Sequence, residues 1–292
     1  MTCSVRDSCD IPPRADGLCD RVDPAVVELR IRSYAQTEVG VTPVPFELST
    51  QDAVSWLATL PGESVDLLIT DPAYESLEKH RAIGTTTRLK HSKASSNDWF
   101  KIFPNARFGE LFREIHRVLR KDTHFYLLCD AETMFIAKPE AEQVGFRFWK
   151  PLVWDKCTIG MGYHYRARYE FILFFEKGKR RLNDLGIPDI ISVPRIRGGY
   201  PAEKPAEIAD VLIRQSSQPG DVIVDPFMGS GSVGIAAAKL GRRFLGNDLN
   251  PEAVRIAAQR LREFGEGRVP ADIAAEPQPD QPDLLDSIAP RT

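Results

Sequence analysis

Short apolar runs alternate with segments of three-and-four periodicity through most of the chain. Val65–Thr70 (VDLLIT) is a compact, largely apolar run that stops at Asp71-Pro72, the pattern of a strand buried on both faces of a parallel sheet. Residues 108–119 place Phe108, Leu111, Phe112, Ile115, Val118 and Leu119 three and four apart, which predicts an amphipathic helix. Further strands are predicted at 124–129, 151–154, 168–176, 221–224 and 243–246. Helices are predicted at 132–144, 202–215, 232–240 and 251–264, the last with Pro251 in its first turn. This alternation predicts an α/β fold, a doubly wound and mostly parallel sheet of the Rossmann-like type, with ligands at the carboxyl ends of the strands.

The ends of the chain lack such a period. Residues 1–35 are rich in Asp, Arg and Pro and read as a flexible arm. The run Pro277-Gln278-Pro279-Asp280-Gln281-Pro282 removes backbone donors repeatedly, so 265–292 reads as a disordered tail. One domain is therefore expected over 36–264. Two insertions interrupt it, near 75–104 and 178–200, and connections of that length are usually functional or disordered.

Composition narrows the function classes. The 292 residues are 42% hydrophobic and 27% charged, ordinary for a soluble protein, and hold no run long enough to span a membrane. A formal net charge of −3 rules out a uniformly basic surface, so any grip on phosphates must be local. The five cysteines form no Cys-x-x-Cys pair, so no metal site is expected, and their odd number suits a reducing cytoplasm.

Two motifs carry chemistry. Asp225-Pro226-Phe227-Met228-Gly229-Ser230-Gly231 lies between a predicted strand and the helix that opens at Ser232. Its glycines permit a tight turn and close approach of a ligand, and the helix directs free amides at the same place. The next strand ends at Asn247-Asp248-Leu249, where a carboxylate can accept both hydroxyls of a ribose. Gly229-x-Gly231-x-x-Gly234 also matches the dinucleotide fingerprint, and on this motif alone a nicotinamide cofactor and S-adenosylmethionine are equally acceptable. The second motif, Asp71-Pro72-Ala73-Tyr74, follows the strand VDLLIT.

The second motif resembles the Asp-Pro-Pro-Tyr signature of amino-methyltransferases acting on nucleobases, and the first resembles their Phe-x-Gly-x-Gly loop. Glu203-Lys204-Pro205 is similar to the element preceding that loop, and Asp52-Ala53 with Trp56-Leu57 is similar to the segment that holds the cofactor's adenine. The catalytic motif comes first and the cofactor loop late, the permuted order of the beta-class DNA amino-methyltransferases. Over about residues 45–264 the chain thus resembles that class. The resemblance implies S-adenosylmethionine as cofactor, held by Asp52, Ala53, Asp71, Lys204, Pro205, Asp225, Pro226, Phe227, Gly229, Ser230, Gly231, Ser232, Asp248 and Leu249. It also implies Asp71, Pro72 and Tyr74 as catalytic residues, adenine as the target, and a homodimer, with or without a partner restriction endonuclease. Ala73 departs from the commonest pattern: it replaces a proline, restores a backbone donor and loosens the turn.

The residues themselves make chemical sense of this. An exocyclic amine is a poor nucleophile because its lone pair is delocalised into the ring. Asp71 can accept one of its N–H groups and the Pro72 carbonyl the other, and both become better partners as positive charge develops. A base in duplex DNA must be flipped out, and Tyr74 suits stacking on its face. The connection after Tyr74 brings Lys79, Arg81, Arg88, Lys90 and Lys93 towards the site for phosphate contacts, and Arg195 and Arg197 lie in the second insertion. Lys156, Tyr163, His164, Tyr165, Arg166 and Arg168 form a third basic and aromatic cluster. Methylation of cytosine's amine or of an RNA base, and a non-catalytic DNA-binding regulator, remain open alternatives.

Overall fold

The computed structural model describes residues 46–76, 101–160, 165–196, 200 and 203–265. In chain order the elements are β1 (Phe46–Ser49), α1 (Ala53–Thr59), β2 (Val65–Thr70), a 3-10 turn (Asn105–Arg107), α2 (Phe108–Val118), β3 (Leu119–Cys129), α3 (Ala131–Gln143), β4 (Arg147–Asp155), β5 (Tyr169–Lys177), β6 (Ile190–Ser192), α4 (Ala206–Ser216), β7 (Val222–Asp225), α5 (Ser232–Lys239), β8 (Arg243–Asn247) and α6 (Pro251–Gly265). The arm at 1–35, the tail beyond Gly265 and residues 77–100 with their five predicted DNA-contacting cations lie outside the described residues, as does Arg197.

The strands form one eight-stranded sheet in the order β1-β8-β7-β2-β3-β5-β4-β6. Pairing is parallel throughout except where β5 runs antiparallel to β3 and to β4. β2 lies at the centre, between β7 and β3, and all six of its residues are buried. From Leu67 to Ile69 its alternation splits the core into two layers, and a register irregularity between Val65 and Leu67 accompanies the placing of Val65 on the Leu68 side. Leu67 and Ile69 join Tyr126, Leu128, Ile172, Phe174 and Ile223 beneath α4, α5 and α6. Val65 and Leu68 join Phe125, Leu127, Leu173, Phe175 and Val224 beneath α1, α2 and α3. The face of α2 expected from its sequence, from Phe108 through Leu111, Phe112 and Ile115 to Val118, is the buried one.

One charged residue interrupts β2, and its partners explain it. Asp66 accepts a bond from the Val222 backbone N–H at 2.9 Å and pairs with Arg120, so a buried carboxylate ties the central strand to both neighbours. Two strands are longer than their apolar runs. β3 begins at Leu119, which pairs with Val65 ahead of a register irregularity that holds exposed Arg120, Lys121 and Asp122, and β4 begins at Arg147, which pairs with Glu176. The insertion expected at 178–200 is in part a sheet edge: Ile190–Ser192 pairs with β4. Among the described residues no helix is long and apolar enough to cross a membrane.

Candidate active site

The carboxyl ends of β2, β7, β8 and β4 share one edge of the sheet. Because β5 is antiparallel, its first residues reach the same edge. They open on a cavity of about 900 Å³, in the range of a cofactor-sized ligand. Every residue expected to hold the cofactor lines it except Gly231.

The loop from Asp225 to Ser232 is built by its own side chains and glycines. Asp225 is buried, and its Oδ1 accepts bonds from the Thr70 hydroxyl at 2.9 Å and the Phe227 N–H at 3.0 Å. Gly229 (φ 53°) donates its N–H to Asp248 Oδ2 at 2.9 Å. Gly231 (φ 83°) caps α5, and a Cβ there would stand 2.9 Å from the Ala257 Cβ. Gly234 serves packing instead, since its Cβ would meet the Phe244 ring at 2.6 Å. Ser230 is held from behind by Arg260, whose Nη1 donates to both its carbonyl and its hydroxyl at 2.8 Å.

Burial pushes the Asp225 carboxyl up to about 8, with the nearby Asp71 and Asp248 adding to the effect. The fold therefore favours its protonated form. That contribution to stability is fully present below the ordinary value of 3.8 and is lost as pH rises through about 8. Asp225→Asn keeps the acceptor oxygen and removes the titration. We expect its melting temperature to rise relative to the wild type as pH goes from ~4 to ~9. A difference that stays constant over that range would rule out this titration.

The Asp71 turn holds a charge cluster. Lys204 Nζ lies 2.5 Å from Asp71 Oδ2 and 3.3 Å from Glu170 Oε2, and Lys156 Nζ lies 2.6 Å from Glu170 Oε1. Burial raises the Asp71 carboxyl, opposed by Lys204. Burial works against the Lys204 charge, but Asp71 and Glu170 outweigh it and hold the ammonium above its usual range. The Tyr74 hydroxyl stands 3.5 Å from Asp71 Oδ1, and its ring is buried against the core while lining the cavity. It forms a wall of the cavity rather than a free-standing platform. Ala73 is pinned despite its missing ring, because its carbonyl accepts the Phe103 N–H at 2.8 Å.

Several expected residues have partners the sequence did not suggest. Asp52 caps α1 through the Ser55 N–H at 3.1 Å and forms a two-point pair with Arg107 at 2.7 and 3.0 Å, which holds its carboxyl below the usual range. Asp248 uses both oxygens, Oδ2 accepting the Gly229 N–H of the glycine loop and Oδ1 the Asn250 N–H of its own turn at 2.8 Å. In the third basic cluster, Lys156 turns inward to Glu170 and Arg168 pairs with Asp155 at 2.7 and 2.8 Å, while Tyr165 is fully exposed. Tyr163 and His164 lie outside the described residues. Arg195 is exposed and does not line the cavity. Glu170 and Arg107 were missed by sequence reasoning. Glu170 had one signal, a lone acid in the otherwise apolar run YEFILFF; Arg107 had none.

Comparison with known proteins gives a consistent result. The profile of the N6/N4 family described as DNA methylase matches residues 65–194 and 187–259. The DNA adenine methyltransferase YhdJ of Escherichia coli (strain K12) is 28% identical over 250 residues, covering 72% of this chain and 80% of its own. The type II methyltransferase M2.DpnII of Streptococcus pneumoniae is 27% identical over 236 residues, covering 72% and 87%. Among solved structures, the DNA modification methylase TTHA0409 of Thermus thermophilus, complexed with S-adenosyl-L-methionine, superposes with a TM-score of 0.57 at 25% identity, over 76% of this chain and 95% of its own.

Proposed function

This chain belongs to the N6/N4 DNA methylase family, and on that premise we propose that it transfers a methyl group from S-adenosylmethionine to the exocyclic amine of adenine in double-stranded DNA. The observation that carries this reading is the convergence of the Asp71 turn and the Asp225–Ser232 loop on one cavity.

The residues present fit the cofactor. Asp248 stands at the end of β8, where a ribose carboxylate acceptor belongs, and its bonds to Gly229 and Asn250 leave further lone pairs available. The partly buried Phe227 and the apolar side chains of Ile208 and Leu249 supply surface for an adenine ring. The carboxylate at Asp71 suits the positive charge of a sulfonium. When bound, S-adenosylmethionine supplies an electrophilic methyl on a sulfur that leaves as a neutral thioether.

The chain then has to orient the amine. Asp71 accepts one amine N–H and the Pro72 carbonyl the other, which turns the nitrogen lone pair towards the methyl carbon. With S-adenosylmethionine bound, the amine nitrogen would take the methyl carbon, and the electron pair of the broken sulfur–carbon bond would stay on sulfur. The nitrogen becomes positive, and Asp71 is placed to receive the proton it sheds. Tyr74 walls the base, and its hydroxyl near Asp71 adds a polar edge. The name carried by YhdJ and the aspartate at the first position of the motif support adenine.

The test is transfer of radiolabelled methyl to unmethylated genomic DNA, followed by base analysis. Label in N6-methyladenine is the expected result. Label in N4-methylcytosine would overturn the base assignment, and label in RNA alone would overturn the substrate. DNA binding without any transfer would make the protein a regulator.

A further inference from the structure

Four charged side chains alternate in sign along the cavity wall: Lys156, Glu170, Lys204 and Asp71. They come from four places, the residue after β4, the start of β5, the segment before α4 and the turn after β2. All four line the cavity, with side-chain exposures of only 18–23%. Removing charges from water is costly, and packing alone is served as well by apolar residues of similar volume. Glu170 Oε2 is also buried without an aligned hydrogen bond and lies 3.3 Å from the Lys204 ammonium. A fold does not need this arrangement for stability.

We propose that Glu170 is a positioning residue that clamps the Lys204 ammonium onto Asp71 and so aims that carboxylate at the target amine, and that Lys156 offsets the charge of Glu170 so that Asp71 stays ionised. The proposal rests on the methyl-transfer reading for its purpose, while the electrostatic linkage it describes stands or falls separately. Lys204 has three donors on a flexible stem. A single partner leaves it free to swing towards the cavity; a second carboxylate on its far side fixes it. Glu170 brings a negative charge close to Asp71, and Lys156 compensates that charge from outside.

The groups that act on Asp71 are Lys204, Glu170 and Tyr74, with Asp225 on β7 and Cys129 on β3 also within electrostatic reach. Burial pushes both carboxyls up; Lys204 and Lys156 outweigh it at Glu170, whereas at Asp71 Lys204 only opposes it. The signs of two substitutions follow. Glu170→Gln removes a negative neighbour, so Asp71 ionises more easily. Lys156→Met leaves the charge of Glu170 uncompensated, so Asp71 ionises less easily.

The experiment follows the Asp71 carboxyl directly. Protein labelled with 13C at aspartate carboxyls is titrated by NMR, and the Asp71 signal is assigned by its loss in Asp71→Asn. We expect its midpoint to fall by about one pH unit in Glu170→Gln and to rise by about as much in Lys156→Met. The acid limb of the single-turnover methylation rate should move in the same two directions. Midpoints that stay fixed, or that move the same way in both variants, overturn the proposal, since a purely structural role has no reason to give opposite signs. If Glu170→Gln does not fold, the direction of the Lys156→Met shift decides alone. Opposite shifts in a protein that methylates no DNA would retain the linkage and overturn the methyl-transfer reading instead.

Discussion

Asp71→Asn should lower the methyl-transfer rate by about 10²–10³-fold, the loss typical when one preorganised partner of a transition-state charge is removed. Asparagine keeps the shape and one acceptor oxygen, so the turn and its Phe103 contact survive. It cannot carry the negative charge that strengthens as the amine becomes cationic, nor take up the proton that the amine sheds. The substitution also leaves Lys204 facing Glu170 alone, with Lys156 making the cluster net positive. Affinity for S-adenosylmethionine should fall far less than the rate. Single-turnover kinetics with a binding titration separate the two. A loss in binding that accounts for the whole loss in rate would mean that Asp71 contributes uniform binding and does not act selectively on the transition state.

Arg260→Ala should cost about 3–5 kcal/mol of stability, the range for stripping one partner from a buried ion pair. Arg260 lies 2.7 Å from Glu203, with side-chain exposures of 8% and 2%. The same guanidinium donates to the carbonyl and hydroxyl of Ser230. Its removal leaves a carboxylate stranded in the interior and frees the glycine loop from α6. Urea denaturation measures the first effect. The second predicts weaker S-adenosylmethionine binding even where the variant is fully folded. A loss below about 1 kcal/mol, the value of an exposed pair, would show that water reaches Glu203.

The elements with strong periodicity were legible from sequence because one face, or both, is buried. VDLLIT is buried at every position, and α2 buries five of the six residues its spacing selects, the sixth, Leu119, being buried at the start of β3. The short β1 and β6 were not read. Four and three residues carry too little pattern, and each lies at an edge of the sheet where pairing with one neighbour, β8 or β4, defines it. The 178–200 segment was read as an insertion for the same reason.

The site divides along a similar line. Asp71-Pro72-Ala73-Tyr74 and Asp225–Ser232 each sit where a strand stops, and the residues that shape a turn must be local in sequence. Their glycines, prolines and short polar side chains identify them without any knowledge of distant partners. Glu170, Arg107 and Arg260 act through partners far along the chain: Glu170 meets Lys204, Arg107 meets Asp52, and Arg260 meets Glu203. Glu170 reaches the carboxyl edge only because β5 runs antiparallel to its neighbours, a pairing that no local pattern encodes. The amino-acid order thus determined the family, the strand–helix rhythm and the two loops that carry the chemistry. Only the folded chain decided which buried charges meet, because a desolvated charge takes its character from what surrounds it in space and not from its neighbours in sequence.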